Sequence, residues 1–129
     1  MRRRLDSEAP LTWRDVGNWT DTEGSIITNP GENRVYVFIS QAERKILEEI
    51  QRFLESEKIP SQIVRTGAIW SLEVSAKRTV RKFLQRIRPY LRTARKRRQY
   101  KQAQEFLRFI LPRGAPRKVK IPQWEDVLM

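Results

Sequence analysis

Val16-Gly17-Asn18-Trp19-Thr20-Asp21-Thr22-Glu23-Gly24-Ser25-Ile26 is the stretch on which the fold turns. Its pattern belongs to a helix running from Leu11 to about Glu23, with Trp13, Val16, Gly17 and Thr20 on one side and Trp19 on the other. Apolar or small groups on two sides imply burial on two sides. Gly24 reads as the capping glycine that ends the helix. Asp21 and Glu23 therefore fall in its last turn, where the helix already presents negative partial charge, an unfavourable placement by about 0.3–1 kcal/mol per charge. Two arrangements answer this. A divalent cation could be held by Glu23 and by the carbonyls freed at the helix end, that of Thr22 among them. Alternatively, the two acids are solvated beside a capping glycine.

Downstream, Ser25 to Thr28 and Arg34 to Gln41 alternate as strands joined by the breaker-rich turn Asn29-Pro30-Gly31-Glu32-Asn33. Val35, Val37 and Ile39 share one face, and Tyr36, Phe38 and Ser40 the other. Ala42 to Lys58 predicts an amphipathic helix with Ile46, Leu47, Ile50, Phe53 and Leu54 on one stripe. A second hairpin follows, Gln62 to Arg65 and Ile69 to Ser75 across Thr66-Gly67. Trp70, Leu72 and Val74 alternate there with Ser71 and Glu73. A third helix begins near Ala76, carries Val80, Phe83, Leu84 and Ile87, and is closed or interrupted at Pro89. A last helix, about Arg95 to Leu111, carries Tyr100, Ala103, Phe106, Leu107 and Ile110. The order is αββαββαα: an α+β domain with one four-stranded antiparallel sheet, helices on one face and the other face free. Residues 11–112 form the domain, 1–10 an N-terminal arm and 113–129 an extended basic tail whose Trp124, Val127 and Leu128 could pack back on it.

The chain has 129 residues, 27 of them Lys or Arg and 15 Asp or Glu, for a net charge of +12. Lys77 to Lys101 holds twelve cations and no acid, so the whole excess lies in that run. A polyanion is the natural partner for such a run, and a nucleic-acid backbone is the commonest one. Histidine and cysteine are both absent. Zinc fingers, disulfides, haem ligation and His-based nucleophilic catalysis are thereby excluded, and any metal must be a hard cation on oxygen. Met1-Arg2-Arg3-Arg4 is followed by Leu5-Asp6-Ser7-Glu8, without the apolar run of a signal peptide. No segment reaches the length of a membrane span, so the expectation is an intracellular protein, in the cytoplasm or nucleoid-associated, with no membrane partner.

The opening stretch resembles the motif of the LAGLIDADG homing endonucleases, a helix ending in an acid and a glycine, here Asp21-Thr22-Glu23-Gly24. The likeness extends in order through Val37-Phe38-Ile39-Ser40-Gln41 with the helix after it, and through Phe83-Leu84-Gln85-Arg86-Ile87-Arg88-Pro89-Tyr90-Leu91. It spans roughly Leu11 to Leu111. The resemblance implies a homodimer in which two motif helices pack side by side, here through Trp13, Val16, Gly17 and Thr20. It implies that Glu23 of each copy binds magnesium and that Gln41 orients active-site water. The partner would be double-stranded DNA with a partly symmetric site cut on both strands. Arg34, Tyr36, Arg65 and Ser71 would be groove contacts, with Arg92, Arg97 and Arg98 on phosphates.

Three features depart from the family. Asn18 stands where a small residue is usual. The position of the active-site lysine falls on Ala94, leaving Arg95 or Lys96 to substitute. The first hairpin is short. A second reading therefore stays open: a non-cleaving DNA-binding regulator, or an RNA-binding splicing factor (maturase), on the same fold. A small ribosome-associated protein would fit the charge, but gives no reason for the helix-terminal acids.

Overall fold

Helix α1 (Trp13–Glu23) begins with a capping box. Thr12 Oγ1 accepts the Asp15 N–H at 3.3 Å, and the Asp15 carboxylate accepts the Thr12 N–H at 2.9 Å. The structure is a computed structural model that describes residues 10–110, so the expectations for the N-terminal arm, the C-terminal tail and the helix end at Leu111 lie outside the described residues. Seven further elements follow: β1 (Gly24–Asn29), β2 (Arg34–Gln41), α2 (Arg44–Ser56), β3 (Gln62–Thr66), β4 (Ile69–Val74), α3 (Lys77–Ile87) and α4 (Ala94–Ile110). This is the expected αββαββαα order. The strands form one antiparallel sheet in the order β1-β2-β4-β3.

Boundaries move by one or two residues, and two turns differ in kind. Gly24 is not a left-handed cap; its φ is −117° and it opens β1 directly. Its missing side chain matters for space, because a Cβ would lie 2.7 Å from the Phe38 carbonyl oxygen. In the first hairpin a single 3-10 turn, Pro30–Glu32, leads to Asn33, which takes the left-handed conformation at φ 55°.

The register assigns each side chain to a face. Ile26, Val35, Val37, Ile39, Leu72 and Val74 are buried on one side. Against them pack Val16 of α1, Leu47, Ile50 and Leu54 of α2, Val80, Phe83, Leu84 and Ile87 of α3, and Ala103, Phe106 and Leu107 of α4. Each large side chain so buried contributes about 1.5–3 kcal/mol. Trp13 joins three helices. Its ring meets Phe53 edge-on at 5.1 Å and Phe83 at 5.8 Å, and its Nε1–H donates to Glu57 at 3.3 Å. After α3, a 3-10 turn at Arg88–Tyr90 spends Pro89 where a helix would break. Helix α4 then runs beside β1, and Gln99 Oε1 accepts the Ile26 N–H at 2.9 Å.

Candidate active site and nucleic-acid surfaces

Residues two apart on a helix project about 200° apart, and this separates the two acids at the end of α1. Asp21 points inward and is 7% exposed. One carboxylate oxygen accepts the Arg92 N–H at 3.1 Å, the Thr93 N–H at 3.2 Å and the Thr93 hydroxyl at 3.1 Å. Thr93 Oγ1 in turn accepts the Lys96 N–H at 3.2 Å, as a cap on α4. Asp21 is thus badly placed for its own helix and well placed for the N-terminus of α4. Its compensation is a second helix rather than a cation. Sequence reasoning missed this role because the donors lie over seventy residues away.

Glu23 is exposed and makes no hydrogen bond or ion pair among the described residues. Thr22 is exposed too, its hydroxyl donating to the Asn18 carbonyl at 3.0 Å. No group of three or more acids gathers among the described residues, so one chain supplies a single free carboxylate at this helix end. That donor set fits a shared divalent cation only when a second carboxylate or a phosphate completes the shell.

Around this point the sheet places two of the expected residues. Gly24 lies opposite Ile39, so Glu23 stands at the end of the sheet where Ser40 and Gln41 close β2. Gln41 is half-buried opposite Trp70, and Ser40 and Ser71 share a hydrogen bond of 3.0 Å on the free face. Of the two candidate basic residues, Arg95 is exposed whereas Lys96 is only 6% exposed. Burial pushes the Lys96 amine below its ordinary pKa and neighbouring Arg95 adds to this, while the Asp21 carboxylate works in the opposite direction. Lys96 is thus a buried amine that feels the charge of Asp21, whereas Glu23 is exposed.

Two expectations need correction. Trp13, Val16, Gly17 and Thr20 do not form an outward stripe. Val16 and Thr20 are fully buried, Trp13 is held by Phe53 and Phe83, and a Cβ on Gly17 would lie 2.7 Å from Tyr90 Cβ of the same chain. The small residue at 17 lets the turn after α3 approach α1 closely. The face of α1 left outward carries Arg14, Asn18 and Thr22, at successive i, i+4 positions. Arg65 also leaves its expected group. It pairs with Trp70, on the helix-covered side, its guanidinium 5.2 Å from the Trp70 ring and its Nε–H donating to the Gly67 carbonyl.

Arg34, Tyr36 and Ser71 do share the free face. Arg34 lies 4.5 Å over the Tyr36 ring, which stacks on Phe38 at 6.3 Å. Arg34 and Glu73 are the only charged residues that the strand register puts on this face, so it is close to neutral. The cationic run lies elsewhere, on α3, α4 and the segment between them, where Arg92, Arg97 and Arg98 are exposed.

Comparison with known proteins agrees with this architecture. Residues 18–88, more than half of the chain, match the family model of the LAGLIDADG-like domain. A search of curated proteins found no match. Among solved structures, the homing endonuclease I-CvuI in complex with its target is 19% identical, with a TM-score of 0.58 over 74% of this chain and 65% of that one. The LAGLIDADG meganuclease I-AabMI bound to uncleaved DNA is 14% identical, with a TM-score of 0.63 over 78% of this chain and 37% of that one. I-SmaMI bound to cleaved DNA is likewise 14% identical, TM-score 0.63, over 92% of this chain and 48% of that one. The chain thus spans less than two thirds of the length of each of these relatives. With the motif helix, the sheet it feeds and the matched segment in agreement, the chain belongs to the LAGLIDADG-like domain family.

Proposed function

We propose that the protein is a magnesium-dependent endonuclease that acts on double-stranded DNA as a homodimer. The observation that carries this reading is the division of labour at the end of α1. Asp21 is consumed by α4, which leaves Glu23 as an exposed carboxylate at the end of a sheet whose other face is free. Glu23 from each of two copies, with scissile phosphates, would hold the cation, which when bound activates water and stabilises the leaving oxygen. Gln41, half-buried at the end of β2, would orient solvent there. The free face, with Arg34, Tyr36 and Ser71, would lie along the DNA, and relatives solved with DNA support this partner.

Purified protein should nick or linearise plasmids from a library of candidate sites with magnesium, fail with chelator, and fail as Glu23→Gln while still binding. Equal cutting by Glu23→Gln would remove the metal-acid role.

One observation favours a non-cleaving regulator or RNA-binding splicing factor. Lys96, a candidate for the cation expected beside the acid, is buried, and Ala94 occupies the aligned position. Tight binding without cutting across the library is the outcome that reading requires.

A further inference from the structure

The neutral sheet face leaves the charge of this protein without a partner, and the cations gather on a different surface. Between the 3-10 turn at Arg88–Tyr90 and α4 lies an open cleft of about 680 Å³. Arg88, Arg97 and Lys101 line it, and Pro89, Leu91 and Tyr100 supply apolar surface. It continues between α3 and α4 as a smaller cleft of about 90 Å³ that shares Tyr100 and adds Arg81 and Arg108. No acid lines either part. Arg97 to Arg108 covers roughly 16 Å at 1.5 Å per helical residue, enough for a few nucleotides. The Arg97 guanidinium is already positioned, its Nε–H donating to the Leu91 carbonyl at 3.0 Å.

We infer that this groove binds a single strand of nucleic acid, with a base stacked on Tyr100 and the phosphates met by Arg88, Arg97 and Lys101. Arg88, Arg97 and Lys101 line the larger cleft with no acid among its lining residues, and such a set repels itself until a polyanion enters. The apolar floor selects among polyanions. Bases in a duplex are stacked on their neighbours and cannot reach a recessed ring, whereas an unpaired base can, and aromatic floors with cationic rims are the chemistry that holds single strands. The inference does not rest on the endonuclease reading, because it uses neither Glu23 nor the sheet face.

The test uses the full chain and fluorescein-labelled twelve-nucleotide oligothymidylate and oligouridylate, followed by anisotropy, with unlabelled duplex DNA and polyglutamate as competitors. Either labelled strand should bind more tightly than the duplex, and the stronger of the two identifies DNA or RNA as the natural source. Tyr100→Ala should weaken binding about tenfold, Tyr100→Phe should bind as the unaltered protein, and the exposed pair Arg88→Glu with Lys101→Glu should abolish it. Lys45→Ala, exposed on α2 and away from the groove, should leave it unchanged. Equal binding by the Arg88→Glu, Lys101→Glu protein would overturn the proposal. Stronger competition by duplex than by single strand, or by polyglutamate equal to that by single strand, would do the same. Loss of plasmid cutting in Glu23→Gln with single-strand binding intact would leave both readings standing separately.

Discussion

Asp21, at the C-terminal end of α1, accepts the backbone N–H of Thr93 at 3.2 Å and so ties the motif helix to the start of α4. The acid serves two helices with opposite electrostatic needs, and the second one wins because three donors converge on it.

Asp21→Ala should therefore destabilise the protein by about 1–3 kcal/mol, since it leaves the Arg92 and Thr93 amides and the Thr93 hydroxyl without their acceptor. Asp21→Asn keeps an acceptor and should cost less. Glu23→Gln, on an exposed side chain, should stay within about 0.5 kcal/mol. Chemical denaturation of the three variants measures the contrast, and a Glu23→Gln loss as large as that of Asp21→Ala would reverse the assignment of roles.

Lys96 gives a pH signature. Its folded pKa lies below the ordinary 10.5, so between the two values the unfolded chain binds more protons than the folded one, and stability from this group rises with pH. Below the folded pKa the penalty for a charged, buried amine is fully present. The stability of the unaltered protein relative to Lys96→Met should increase as pH climbs through the window below 10.5. Parallel melts over that range that keep a constant gap would contradict the burial-driven shift.

At Gly17 the approach of Tyr90 leaves no room for a methyl group. Gly17→Ala should cost about 1–3 kcal/mol through overpacking. Asn18→Ala, one residue further round the helix and exposed, should change stability by no more than about 0.5 kcal/mol. Thermal unfolding compares them directly.

If two copies associate through α1, the contact must use the outward face. Asn18→Lys and Thr22→Lys together should shift a dimer to monomer in sedimentation velocity with the fold intact by circular dichroism. An unchanged dimer would place the contact on another element.

Much of the architecture was legible because short-range patterns carried it. Val35, Val37 and Ile39 alternate cleanly and are all buried, and Ile46, Leu47, Ile50 and Leu54 mark the buried stripe of α2. Arg65 was misplaced because Ile63 and Val64 are both apolar, so alternation in β3 does not say which face is inward; pairing with Trp70 does. The two-sided apolar pattern of α1 was read correctly as burial on two sides, but not as burial within one chain. Asp21 was opaque for a different reason: its donors are backbone amides of a distant loop, and backbone amides leave no mark in a sequence.

Gln99 has a consequence for assembly. A strand at the margin of a sheet offers a row of unused amides to any other extended chain, and natural proteins obstruct such margins. By taking the Ile26 N–H, with α4 laid alongside, Gln99 closes the β1 margin to strand addition. At the opposite margin, β3 carries exposed Gln62, Arg65 and Thr66. A second copy that approached on this side would meet helix α4 and an occupied amide, and could not simply extend the four-stranded sheet at Ile26.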